Sequence, residues 1–225
     1  MGKILVSHES PEFQELWNRQ TKKRIRNKHN GGYYYSKEIV ENIIPLIKTS
    51  RPWVTVNLRK QQICDNHAIV FVHMNWHPEW YNWMEKYDDL IFVCSKEKTC
   101  EAISHLGKTI YLPLSVDVEE IKKYKRPKDR KTAFAGRKAK RYGIHGINLP
   151  SGIDYIENVS RDIFLSEMAR YKNIYAVDRV AIEAKILDCN ILPYDPDFPD
   201  PDVWKILDNK DAAVMLQEKL DEIDR

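Results

Sequence analysis

Apolar residues in this chain come in short unbroken runs that alternate with stretches where they recur every three or four positions. The first run is KILVS at 3–7. After a long polar loop, Ile39, Ile43, Ile44 and Ile47 share helical spacing within 33–48. Pro52 marks the end of that helix, and WVTVN at 53–57 alternates as a strand does. Further strands are expected at 68–72, 90–94 and 109–112, with helices over 78–86 and 96–106, the second stopped by Gly107. Unbroken apolar strands joined by helices predict a parallel sheet covered on both faces, because a parallel crossover needs a helix.

The alternation breaks at residues 116–130, a basic stretch with Pro113 and Pro127 near its edges, which reads as a linker. It then restarts. Strands are expected at 132–135, 153–156, 174–177 and 191–193, helices at 161–171 and 179–187, and closing helices near 203–207 and 211–223. The fold class is therefore α/β, with two facing Rossmann-like lobes over 1–115 and 131–225 and the second lobe short. In such sheets ligands sit at the carboxyl ends of the strands, so the expected site is a cleft between the lobes.

Composition supports a folded chain: 225 residues, 43% hydrophobic and 11% aromatic, can bury real cores. The apolar part of MGKILVSHES is too short for a signal peptide and no run is long enough to span a bilayer, so the cytoplasm is expected. Cys64, Cys94, Cys100 and Cys189 form no CxxC pair, and the histidines form no HExxH, so neither a metal nor a permanently bound cofactor is expected. The net charge of +3 hides three basic segments at 21–30, 122–131 and 137–141. They are either solvated loops or local fields that attract phosphate groups.

Three strand-end loops carry candidate chemistry. In HNGGYYYSKE, Gly31 and Gly32 precede a helix, which allows a backbone approach to an anion or simply makes a turn. In TAFAGRKAKRYG, Gly136 ends a strand and Arg137, Lys138, Lys140 and Arg141 follow, a pattern suited to a diphosphate or to a solvated basic turn. In DRVAIEAKILDCNILPYD, Glu183 lies within an apolar helix and is expected near the cleft rim. There a carboxylate can accept two ribose hydroxyls, or it is a helical acid stabilised by the dipole.

These loops, in this order, resemble the GT-B glycosyltransferases, nucleotide-sugar-dependent enzymes of two Rossmann-like lobes. GGYYYSKEIVENIIPLIKTSRPWVTV resembles the family's Gly-Gly loop, helix and second strand, and FVHMN its strand-His segment. FVCSKEKTCEAISHLGKTIYLPLSVD resembles the entry to the linker, KTAFAGR the strand that opens the second lobe, IDYIENVSRDIFLSEMARYKNIYAV its strand and following helix, and RVAIEAKILDCNILPYD the donor helix. The resemblance implies that Glu183 holds the donor ribose and that Arg137 with Lys138 or Lys140 holds the diphosphate. It further implies that Gly31 and Gly32 approach the donor and that His73 touches the sugar. Tyr175 stands where the family's first acid falls, and Ser115 where the linker motif has Asn.

The co-substrate implied is a nucleotide sugar, a UDP-sugar first. Candidates for the base that deprotonates the acceptor are His73, His8 and Glu9, with His77 nearby in sequence. The acceptor reading comes from TKKRIRNKHN running into aromatics. Lys22, Lys23, Arg24 and Arg26 can track a phosphate backbone while Tyr33 and Tyr34 stack on bases, which makes a modified base in DNA one acceptor. A lipid-linked or cell-wall sugar at an anionic membrane surface is the alternative acceptor, and a non-catalytic module that binds nucleotide or nucleic acid is the alternative from another class. The DPD triplets at 195–197 and 200–202 read as turn chemistry rather than a metal site.

Overall fold

The computed structural model describes residues 4–6, 35, 37–54, 66–72, 82–136, 149–195 and 198–225. It is an α/β protein with two parallel sheets of Rossmann-like character, in two compact units.

The first unit holds a five-stranded sheet in the order β1-β2-β3-β4-β5: Ile4–Val6, Trp53–Val54, Ile69–Val72, Ile91–Cys94 and Lys108–Tyr111. Every neighbouring pair is parallel. β3 and β4 are buried along their whole length, as unbroken apolar runs require of strands covered on both sides. Val70, Val72, Phe92 and Cys94 share a core cluster with Met84, Ile103 and Leu106. Trp53 and Phe71 stack with centroids 5.6 Å apart. Helix α1, Glu97–Ile103, continues into a 3-10 turn, Ser104–Leu106, and stops at Gly107 as the pattern predicts. A side chain at Gly107 would place its Cβ 2.6 Å from the Leu90 carbonyl oxygen, so only glycine fits there.

Helix 33–48 is realised differently. Its described part is α-helical at Tyr35, Lys37 and Glu38 and then becomes a π-helical turn, Ile39–Ile43, and a 3-10 turn, Ile44–Leu46, with Pro45 at the change of pitch. Proline cannot donate a helical hydrogen bond, and the tighter turn accommodates it. Of the helix expected over 78–86, the described portion is a 3-10 turn, Asn82–Lys86.

The second unit comprises Ser115–Leu207 among its residues and holds a four-stranded parallel sheet, order β7-β6-β8-β9. The strands are Arg130–Ala135 (β6), Asp154–Ile156 (β7), Tyr171–Tyr175 (β8) and Asn190–Leu192 (β9). Helices α3 (Arg161–Met168) and α4 (Asp178–Ile186) join β7 to β8 and β8 to β9, and α2 (Val118–Lys122), which precedes β6, lies against α4. Ala133, Ala135, Ala181 and Ala184 are all buried, and such small side chains allow helix and sheet to approach closely. Residues 116–130 are thus not a free linker, since α2 is part of this unit. Lys128 fastens the segment: its Nζ donates to the carbonyls of Ala169 at 2.8 Å and Leu187 at 2.5 Å. Those carbonyls end α3 and α4, where unpaired acceptors and the negative dipole end favour a cation.

The closing helix α5, Asn209–Ile223, belongs to the first unit and not to the second lobe where the sequence pattern places it. It packs on the 39–46 turns through contacts that include Asn209 Nδ2 donating to Glu38 Oε2 at 2.8 Å. At its other end Asp224 accepts from Arg51 Nη2 at 3.2 Å. No helix covers 204–207; the residues before it form a 3-10 turn, Pro201–Val203, capped by Asp200.

Candidate functional site at the carboxyl edge of the second sheet

β6 is the first strand of the second sheet and lies inside it. The chain moves from β6 to β7 on one side, then crosses to β8 and β9 on the other. Connections leaving β6 and β8 therefore run apart, and the space at their carboxyl ends is the switch point where doubly wound sheets bind ligands.

The residues at this edge have unusual backbones. Gly136, directly after β6, has φ 149°, and its N–H donates to the Ile156 carbonyl at 3.2 Å. Such a φ suits glycine and strains other residues. Asp178, the first residue of α4 beyond β8, has φ 54°, and Asn158 beyond β7 has φ 59°. Asp188, at φ 60°, follows the last turn of α4, where a left-handed residue is the ordinary way to end a helix. Asp178 has no such explanation, because it begins a helix.

Beyond β9 lie Tyr194 and Asp195, both half-buried, as is Asp178. Tyr194 packs edge-on against Phe134 of β6 with centroids 5.5 Å apart, and Tyr155 of β7 approaches the same ring at 5.9 Å. Burial pushes the Tyr194 phenol up, and the carboxylates of Asp195 and Asp178 push it further. It stays protonated at neutral pH and is available as a donor. This edge thus offers a phenol, two carboxylates and a glycine turn that lets a ligand approach the backbone.

Glu183 does not stand at a rim. It is 0% exposed, and its Oε1 accepts from Arg161 Nη1 at 2.8 Å and Arg179 Nε at 2.7 Å. The arginines come from the first turns of α3 and α4 and are themselves buried. A buried carboxylate requires such partners, because the desolvation of an unpaired charge is prohibitive. The role implied by resemblance, a direct hold on ribose hydroxyls, does not suit a side chain sealed in this way. Glu183 ties two helices together beneath the edge instead.

No protein-family model and no curated protein sequence matches the chain. The candidate site therefore rests on its own residues. Of those named from the sequence, Gly136 and Glu183 belong to this unit. Arg137, Lys138, Lys140, Gly31, Gly32, His73, His8, Glu9, Lys22, Lys23, Arg24, Arg26, Tyr33 and Tyr34 lie outside the described residues. Among the described residues no group of His, Cys, Asp or Glu is gathered so as to hold a metal ion, and no helix is long and apolar enough to cross a membrane.

Asp178 and Tyr194 were not singled out by the sequence reading. The available signal was position: each lies within three residues of the end of an expected or observed strand, where an open α/β sheet presents its ligand-facing side chains.

At the carboxyl edge of the first sheet, Tyr35 is buried with its phenol pushed up, first by burial and then by Cys94 at the end of β4. The Cys94 thiol is likewise pushed up, by burial and then by the neighbouring Cys100. Such thiols are packing groups, since the thiolate is the reactive form.

Proposed function

We propose that the protein is a nucleotide-sugar-dependent glycosyltransferase of the two-lobed GT-B kind, with its nucleotide held at the β6/β8 switch point of the second sheet. The strand order β7-β6-β8-β9, which puts Gly136 and Asp178 just beyond the carboxyl ends of neighbouring strands, carries this reading. The resemblance along the sequence supports it. Directly after Gly136 the chain supplies Arg137, Lys138, Lys140 and Arg141, cations in the right order to meet a diphosphate leaving group as its charge grows. The acceptor, on this reading, is a hydroxyl on a modified DNA base, approached through the basic and aromatic segment at 21–35.

The burial of Glu183 and the tyrosine at 175 favour a second reading, a nucleotide-binding module without transferase activity. The two readings separate on incubating the protein with UDP-, GDP- and ADP-sugars for hours, with and without duplex DNA carrying hydroxymethylated bases. A transferase releases nucleoside diphosphate, faster with its acceptor, and adds sugar mass to the DNA. Nucleotide binding with no release selects the module, and neither binding nor release contradicts both.

A further inference from the structure

Of the three basic segments, the one at 122–131 takes no part in holding the nucleotide, and in the folded second unit it is not a free loop. Its backbone is pinned to the amino edge of the second sheet. The N–H groups of Asp129 and Arg130 both donate to the Arg170 carbonyl at 3.0 Å, and Lys128 Nζ reaches the carbonyls that end α3 and α4. We infer that this edge is a docking surface for the phosphate backbone of duplex DNA, formed by Lys123, Arg126, Lys131 and Lys172. The surface rests on the reading of DNA as the acceptor, and it lies at the opposite ends of β6 and β8 from the nucleotide.

The cations around these four already have partners. Lys122 pairs with Glu119 at 2.7 Å, Lys125 with Asp188 at 2.8 Å and Arg170 with Asp129 at 2.8 Å, while Arg130 donates to the Tyr171 hydroxyl at 2.7 Å. Lys123, Arg126, Lys131 and Lys172 are exposed and make no ion pair with a described residue. Two of them face each other. In the β6–β8 ladder Arg130 lies opposite Tyr171 and Thr132 opposite Asn173, so Lys131 lies opposite Lys172 on a strand about 4.8 Å away. Like charges placed opposite one another destabilise a sheet, and an anion set between them removes the repulsion.

The chain's own acids do not fill that place. Asp129 and Asp188 have their own cations, and Asp154 and Glu167 lie 3.9 Å and 3.7 Å from Arg130. Glu120 on α2 is exposed and has no ion pair with a described residue, so the four cations leave a positive surplus. A phosphate backbone matches that surplus: separate anions along a strand meet lysines as point charges and an arginine as a fork. A membrane surface matches it less well. The large exposed apolar side chains of this unit, Tyr155, Ile163, Val203 and Ile206, stand on other segments, so the four cations have no apolar group among them to insert.

The test is fluorescence anisotropy of labelled duplex DNA with the full-length protein across a salt series. A fourfold variant combines Lys123→Gln, Arg126→Gln, Lys131→Gln and Lys172→Gln. The pair Lys131→Gln with Lys172→Gln is compared with Lys98→Gln and Lys210→Gln, two exposed lysines of the first unit that make the same change in charge. The plot of log affinity against log salt is expected to become shallower by about 0.9 for each lost cation that meets a phosphate. Affinity at physiological salt is expected to fall at least tenfold in the fourfold variant and threefold in the pair, with the control within twofold of wild type. Relief of the like-charge contact means that the pair melts no lower than wild type, which separates lost binding from unfolding. An unchanged slope in the fourfold variant, or an equal loss in the control, would overturn the surface. Binding to phosphatidylcholine–phosphatidylserine vesicles in place of DNA, lost in the same variants, would overturn it in favour of a membrane. Sugar transfer to DNA with a wild-type slope in the fourfold variant overturns the surface and leaves the transferase. Variant-sensitive DNA binding with no sugar transfer leaves the surface and overturns the transferase, and absence of DNA binding by wild type overturns the surface and the DNA acceptor together.

Discussion

The two sheets are built from the same kind of strand and differ in one respect that matters for function, their order. In the first unit the described strands follow one another in sequence order, β1 to β5, so consecutive crossovers step the same way. In the second, β6 starts inside the sheet and the chain steps first to one side and then to the other. Only the second order makes neighbouring loops diverge, and only there do the described residues include a glycine at positive φ and a left-handed aspartate at adjacent strand ends. Similar apolar patterns thus give two sheets of which one, among the described residues, reverses its strand order.

The largest expected effect breaks the second unit from within. Glu183→Ala leaves Arg161 and Arg179 buried without the carboxylate they share, and losing one partner of a buried ion pair costs about 3–5 kcal/mol. Urea denaturation should show that loss, with Glu183→Gln intermediate. If Glu183 instead held a ligand at an open rim, Glu183→Ala would unfold at the wild-type midpoint and lose only affinity.

Next comes Lys128→Met, which removes the donor that serves the last carbonyls of α3 and α4. Buried acceptors left unsatisfied cost about 1–3 kcal/mol, so a drop in that range is expected in the same assay. A shift near zero would mean that water replaces the ammonium group. In the first unit Gly107→Ala drives a Cβ into the Leu90 carbonyl, and overpacking of this kind costs about 1–3 kcal/mol. It sharpens the contrast between the units: stability should fall while nucleotide affinity stays within twofold.

The smallest effect is set by pH. Burial pushes Asp89 up, but hydrogen bonds from His67 and Arg51 and the Arg51 charge outweigh it and hold the carboxyl below its ordinary value. A depressed carboxyl contributes stability above its unfolded pKa of about 3.9 and loses it as pH falls through the folded value. Acid titration should therefore show a loss beginning near pH 4 that is shallower in Asp89→Asn. Identical slopes would show that the Arg51–Asp89 contact, 3.1 Å long, contributes nothing measurable.

Much of this fold is legible in the amino-acid sequence, and the failures have physical causes. Strands such as Ile69–Val72 and Ile91–Cys94 are read correctly because burial on both faces forces an unbroken apolar run. β8 is expected at 174–177 but spans Tyr171–Tyr175, because Lys172 is exposed and Asn173 bonds the neighbouring strands, so the polar half of the strand looks like a turn. The place of α5 cannot be read from its own amphipathic pattern, which says that one face is buried and not against which unit.

The site follows the same logic. Glycine at the end of a strand is read as a tight turn, and Gly136 does adopt a positive φ. Glu183 was misplaced because an acid in a helix is ordinarily exposed. The spacing of four from Arg179 hinted at a pair, but Arg161 is 22 residues away in sequence and is brought in only by the packing of α3 beside α4.

Hydrogen-exchange mass spectrometry with and without saturating UDP, ADP or GDP tests the central claim most directly. The account predicts protection of peptides that span Ala135–Gly136 and Ala176–Asp178, with no change at the carboxyl ends of β3 and β4, Val72 and Cys94. Protection at Val72 and Cys94 with none at Gly136 and Asp178 would contradict it.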